Sequence, residues 1–398
     1  MRLVVVLVII CFGVVQALGA NSTIPAAQHP SLLARGPTLG NLVFDCGSNG
    51  SASCSISDFM KDSRVCALLV IKVGQIRLEK YAEDPALCRD DDAALNGPRK
   101  LYGVASVTKS ITSTLLGAAI AEKFHPRNER ELLAILARPI RSFVPSIALK
   151  PPSAYADVPL DRVLRMRSGV RWSEWGWHGY FSDNGRLVND VRVKGRYSVA
   201  EFARRYRDLV GTQPAPFGYS GLDGAVAALT AEEIVGEKLP VFAGRKLWMR
   251  IGAESNAKWG VDKTGTGMGN CCFKATVRDL GRFGLLVLNR GTDPHRERLI
   301  PAAWFDLATK RGSGTDDVIP KNNPSQNHAC RMNYRYFWWL RQNRTDFSAV
   351  GTDGQFIHIY PKEGVVIVQI SDWNGWTDGN RRECESFQAH DALVRALN

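Results

Sequence analysis

Two pairs of strand-like apolar runs, one pair near each end of the chain, enclose a long stretch of helix-period segments. Cys66-Ala-Leu-Leu-Val-Ile-Lys-Val reads as a strand, Gly74-Gln as a turn, and Ile76 to Tyr81 as the hairpin partner. Far downstream, Phe356-Ile-His-Ile-Tyr360, a turn at Pro361-Lys-Glu-Gly364, and Val365-Val-Ile-Val-Gln-Ile370 repeat that pattern. Between them lie helical segments at Leu132 to Ala137, Val199 to Leu209, Leu222 to Val235 and Val277 to Leu288, separated by Gly, Pro and Asp turns. A last amphipathic helix is predicted from about Arg382 to Leu397. The expected fold is α+β: an antiparallel sheet built from both chain ends, flanking helices, and a helical lobe inserted over about 125–330. A cleft belongs at the junction of sheet and lobe. This main domain covers 63–395. Residues 21–62, rich in Gly, Ser, Ala and Asn, read as an N-terminal extension tied across the surface by disulfides.

The chain opens with Met1-Arg2, a nearly unbroken apolar run from Leu3 to Leu18, and Gly19-Ala20 before the polar Asn21-Ser22-Thr23. That order predicts a secretory signal peptide over 1–20, and so a secreted, extracellular or periplasmic-type protein. An uncleaved membrane anchor is the alternative, but the run is short for a span and no later stretch is long and apolar enough to cross a bilayer. Of nine cysteines, Cys11 leaves with the leader. The even remainder fits up to four disulfides in an oxidising compartment, with pairing open; vicinal Cys271 and Cys272 are expected to have different partners. Asn21, Asn49 and Asn343 head glycosylation sequons. No C-x-x-C or His-x-x-x-His pattern is present, so no metal or other cofactor is expected. The formal net charge is +12, but the basic residues are dispersed and carry no nucleic-acid motif.

The candidate chemistry begins at Ser106-Val-Thr-Lys109, where a loop containing Gly103 gives way to the apolar run Ile111 to Ile120. On a helix, residues three apart share one face, so a hydroxyl at 106 and an amine at 109 can exchange a proton. Four more segments follow in order: Leu164-Arg-Met-Arg-Ser168-Gly169-Val-Arg-Trp172, Phe217-Gly-Tyr219-Ser220-Gly221, the Gly-rich stretch from Gly267 to Gly284, and Gly351-Thr352-Asp353-Gly354-Gln355. Together these resemble the β-lactamase-related serine hydrolases, the superfamily of class C β-lactamases, D-alanyl-D-alanine carboxypeptidases, 6-aminohexanoate-dimer hydrolases and related esterases.

The resemblance implies a β-lactamase/transpeptidase-like fold and a trio of Ser106 as nucleophile, Lys109 as the amine that takes or relays its proton, and Tyr219 sharing that path. Which of the two is the formal base stays open. The backbone amides of Ser106 and Gln355 are the implied oxyanion hole. Gly354 suits a strand edge approached by substrate. Two departures qualify the substrate. Gly221 stands where many members carry Asn, so an amide facing a substrate carbonyl or Lys109 is missing there. Thr352 and Asp353 stand where the third motif commonly begins with Lys or His, which disfavours a substrate carboxylate. The aromatic segment 172–181 supplies Trp175, Trp177 and Tyr180 as candidate substrate contacts, whereas Trp338 and Trp339 read as core. The implied partner is a small amide, ester or short peptide. D-alanyl-D-alanine carboxypeptidase or β-lactamase action is one alternative, and an inactive binding protein of the same fold is the other.

Overall fold

The computed structural model describes residues 20–40, 42–44, 53–84, 86–88, 96–175, 182–211, 215–310, 317–323, 330–373 and 379–397. The predicted signal segment up to Gly19, Cys46, Asn49, Trp177 and Tyr180 lie outside the described residues.

The extension begins with strand β1 (Asn21–Ile24), whose Ile24 is fully buried. Its course continues as a strap: Ala27 N donates to Ala253 O at 2.9 Å, and Gly36 N donates to Ile76 O at 3.0 Å. The two-residue strands β2 (Val43–Phe44) and β3 (Cys54–Ser55) pair with each other and lead into helix α1 (Ile56–Asp62). Ser55 caps that helix reciprocally with Asp58. The expected first hairpin follows as β4 (Val65–Lys72) and β5 (Gln75–Tyr81). β4 is apolar on both faces because both are covered. Leu69 and Ile71 join the main core, while Leu68 and Val70 face a second core with Phe59 and Met60 of α1.

After β6 (Tyr102–Gly103) comes α2 (Val107–Phe124), buried on every side from Val107 to Ile120. The lobe then supplies α3 (Glu129–Leu136), α4 (Leu160–Leu164), α5 (Asp183–Arg186), α6 (Val199–Ala203), α7 (Gly221–Val235) and α8 (Leu239–Ala243). The segment Val199 to Leu209 keeps helix only to Ala203. Short strands β7 (Ala257–Gly260) and β8 (Phe273–Ala275) interrupt the helical stretch and join β1 and β6 in a four-stranded sheet ordered β1-β7-β8-β6. Helix α9 (Val277–Leu288) matches its predicted bounds, but it packs on the main sheet, against β4 and the strands Gln355–Tyr360 and Val365–Ser371. Helix α10 (Ala302–Thr309) precedes β9 (Met332–Arg335), β10 (Trp338–Arg341), β11 (Phe347–Gly351), β12 (Gln355–Tyr360) and β13 (Val365–Ser371). Helix α11 (Gly379–Leu397) closes the chain.

The seven-stranded sheet runs β5-β4-β13-β12-β11-β10-β9, with all neighbours antiparallel, so strands from both chain ends meet at the β4–β13 pair. α9 covers one face. α1 and α11 cover the other. Disulfides join Cys66 to Cys88, Cys330 to Cys384, and Cys271 to Cys272, and Cys54 is also disulfide-bonded. The vicinal pair corrects the expectation of separate partners: the two sulfurs bond to each other. No described helix is long and apolar enough to cross a membrane.

Candidate active site

The loop carrying Ser106 is built by a short strand and a strained residue. β6 ends at Gly103, and Ala105 then takes φ +45°, a left-handed conformation costly for a residue with a Cβ. Ser106 sits at the N-cap of α2, yet its side chain makes no capping hydrogen bond. The hydroxyl is committed elsewhere: Lys109 Nζ donates to Ser106 Oγ at 2.9 Å. The same Nζ donates to Asn270 O at 3.1 Å and lies 4.7 Å from the centroid of the Tyr219 ring. Only 2% of Lys109 is exposed, and its hydrogen-bond acceptors are neutral oxygens. The three residues implied by the resemblance therefore converge at one place, although Tyr219 is 110 positions from Lys109 in sequence.

Tyr219 is held by aromatic neighbours. Its ring stacks on Trp339 at 5.7 Å and meets the edge of Tyr334 at 5.8 Å. Trp338 is core, as predicted, but half-buried Trp339 turns toward the site. Behind the tyrosine loop, the signature around Ser168 acts as a support: Gly218 N donates to Met166 O, and Ser220 caps α7 by accepting from Asp223 N. Ser168 Oγ and Tyr155 Oη both donate to Asp223 Oδ1, at 2.8 and 2.5 Å. Complete burial pushes the Asp223 carboxyl up to about 7, against the lowering effect of those two hydroxyls.

At the third motif, Gly351 ends β11 opposite Gln355, the first residue of β12. A Cβ on Gly351 would stand 2.6 Å from Val104 O and 3.1 Å from Ser106 N, so glycine lets this strand end close onto the Ser106 loop. Thr352 is exposed, Asp353 and Gly354 take φ +66° and +89°, and Asp353 O accepts from Trp373 N. Gln355 is buried. Its Nε2 donates to Ser371 O at 2.9 Å and its Oε1 has no hydrogen-bond partner.

Position 221 is equally crowded. Gly221 N donates to Glu174 Oε2 at 2.6 Å, and a Cβ on Gly221 would lie 2.2 Å from Asn184 Oδ1. Glu174 also accepts from Trp172 Nε1 at 2.7 Å, and the Trp172 ring packs 5.3 Å from Tyr206. Trp175 is 59% exposed, so of the aromatic segment the described part contributes one packed ring and one open one. Asn184, Asn270, Glu174, Gly351 and Trp339 enter the site without having been singled out by sequence for it. Asn270 lies in the Gly-rich stretch and Gly351 heads the third motif, but their residue types alone assign neither a role. Among the described residues no group of three or more His, Cys, Asp or Glu side chains is arranged to hold a metal. A cavity of about 760 Å³ lined by Arg99, Lys100, Glu254 and Arg278 includes none of the trio.

The beta-lactamase family signature matches residues 56–386. The chain is 26% identical over 319 residues to the 6-aminohexanoate-dimer hydrolase of Paenarthrobacter ureafaciens, spanning 77% of this chain and 72% of that protein. Among solved structures, a Bacillus anthracis protein assigned as a 6-aminohexanoate-dimer hydrolase superposes with TM-score 0.76 at 19% identity, over 95% of this chain and 91% of that one. A class C beta lactamase from Rhodobacter sphaeroides gives TM-score 0.53 at 16% identity, over 86% and 98%.

Proposed function

The chain belongs to the beta-lactamase family, and from that premise we propose that it is an exported serine hydrolase cleaving small amides or esters through an acyl-enzyme on Ser106. The observation that carries this reading is the Lys109 Nζ to Ser106 Oγ contact of 2.9 Å, with the amine enclosed by Asn270 O and the Tyr219 ring. For acylation that hydrogen bond reverses. Ser106 Oγ attacks the substrate carbonyl carbon while its proton passes to the Lys109–Tyr219 pair, which returns a proton to the departing amine or alkoxide. Water then attacks the acyl-enzyme and frees the acid. The developing oxyanion falls to the Ser106 amide, at the positive end of α2, and to the Gly351–Gln355 strand end, where the Gln355 amide is the second candidate donor.

Substrate preference follows from charge. Exposed Thr352 supplies no cation at the third motif and Asp353 beside it is acidic, so a neutral amide or ester is favoured over a β-lactam or peptide carboxylate. Three described disulfides support the exported reading. A fluorophosphonate probe should label Ser106, and Ser106→Ala should abolish both labelling and turnover of short esters and amino-acid amides. A wild type that neither reacts with the probe nor turns over any ester, amide or β-lactam would defeat the proposal.

A further inference from the structure

The missing amide at position 221 has a replacement in space. A Cβ on Gly221 would stand 2.2 Å from Asn184 Oδ1 and 3.2 Å from Asn184 Cγ, so residue 184 fills the volume into which a side chain at 221 would project. Asn184 comes from α5, 37 positions earlier. A second residue fixes it: Asn270 Nδ2 donates to Asn184 Oδ1 at 3.4 Å, while the Asn270 backbone carbonyl is the one that accepts from Lys109 Nζ. Asn270 is only 2% exposed, and its own Oδ1 is buried without a hydrogen-bond partner.

We propose that Asn184 is the substrate-orienting amide of this site and that Gly221 is glycine to make space for it. An amide has one accepting and one donating end. With Oδ1 turned to Asn270, the end left to a ligand is Nδ2, a donor, and among the described residues that group donates to nothing. A donor beside the trio recognises an acceptor, so the site selects acyl groups that carry a carbonyl of their own, as N-acylamino esters, N-acylamino amides and short peptides do. Glu174, accepting from Gly221 N and Trp172 Nε1, holds the start of α7 and the 172–175 segment on the same cluster. This inference rests on the hydrolase reading of Ser106.

The test compares two activated esters, p-nitrophenyl N-acetylglycinate, which has the acyl-side carbonyl, and p-nitrophenyl butyrate, which lacks it. Asn184→Ala should lower kcat/KM on the acetylglycinate about 10-fold more than on the butyrate, the loss of one neutral hydrogen bond. Gly221→Asn alone should drive two side chains into one volume and lower the melting temperature. The double variant Asn184→Gly/Gly221→Asn should recover both the melting temperature and the acetylglycinate preference. Equal losses on the two esters, or a double variant no better than Gly221→Asn, overturn the assignment while leaving the hydrolase reading intact. A wild type inert to both esters and to fluorophosphonate overturns the two together.

Discussion

The α11 face of strand β12 and the cleft bury polar groups in opposite ways. On the α11 face, His358 Nε2 meets Asp346 Oδ2 at 2.9 Å, His358 Nδ1 meets His390 Nδ1 at 3.1 Å, and His390 Nε2 meets Gln369 Oε1 at 2.8 Å. Gln369 Nε2 continues to Ser371 Oγ and Ser386 Oγ, and Arg341 bridges Asp346 to Asp391. No buried nitrogen or oxygen of these side chains lacks a partner, although the neighbouring Ser348 Oγ, opposite His358 on β11, is buried without one. On the cleft side, Asn270 Oδ1, Asp223 Oδ2 and Gln355 Oε1 are buried and unpartnered. A closed network spends its hydrogen bonds on docking a helix, whereas an open one keeps capacity for something that arrives later. Gln355 and His358 are three residues apart on one strand, so the alternation of side chains sends one to each face.

The largest effect that would test this contrast is on chemistry. Lys109→Ala should slow fluorophosphonate labelling of Ser106 by roughly 10² to 10⁴-fold, the range for a lost proton-transfer group; unchanged labelling would remove the cleft's claim to be the working face. Next comes Asp346→Asn, which weakens the compensation of the nearly buried Arg341 and leaves it only Asp391. We expect a loss of about 3 kcal/mol in urea unfolding, near the low end for a broken buried ion pair, with labelling of the folded protein unaltered. A parallel fall in labelling would show that the faces are coupled.

The smallest effect is in pH, where the two regions pull in opposite directions. Burial lowers His358 to about 4 and His390 well below its ordinary value. As pH falls below about 6.5, the unfolded chain takes up protons that these folded imidazoles refuse, so their contribution to stability is lost toward acid. Asp223, pushed up to about 7, does the reverse: its proton is kept by the fold and lost by the unfolded chain as pH rises above about 4, so stability falls with rising pH. Asp223→Asn should therefore make stability climb more steeply between pH 5 and 6.5 than in the wild type, by about 1 kcal/mol per pH unit, measured as urea midpoints. An unchanged slope would place the Asp223 titration outside that window.

Elements with a long local period were legible in the sequence. The β4–β5 and β12–β13 hairpins, α9 and most of α11 lie where apolar spacing and turn residues place them. Ser106 and Lys109 were legible for the same reason, since their contact spans three residues. The small sheet was not: β6 pairs with β8 across some 170 positions, in strands of two and three residues too short to carry a pattern. Asn184 left no mark in sequence because it matters through the space that Gly221 leaves open, and Asn270 reaches Lys109 across a separation of 161. Trp339 looked like the second half of a core pair. Only the strand's alternation separates it from Trp338.

The Cys271–Cys272 bond follows Asn270 directly and precedes Phe273, whose carbonyl accepts from Val104 N at 3.0 Å in the Ser106 loop. A cross-link between sequence neighbours encloses almost no chain, unlike the 54-residue separation of Cys330 and Cys384, so it removes little freedom from the unfolded state. Its grip is on one peptide alone. The chain thus carries a covalent gauge block at the point where the Lys109 acceptor is set, and a thiol reagent acting there would reach the Asn270–Lys109 contact while leaving the fold essentially as stable as before.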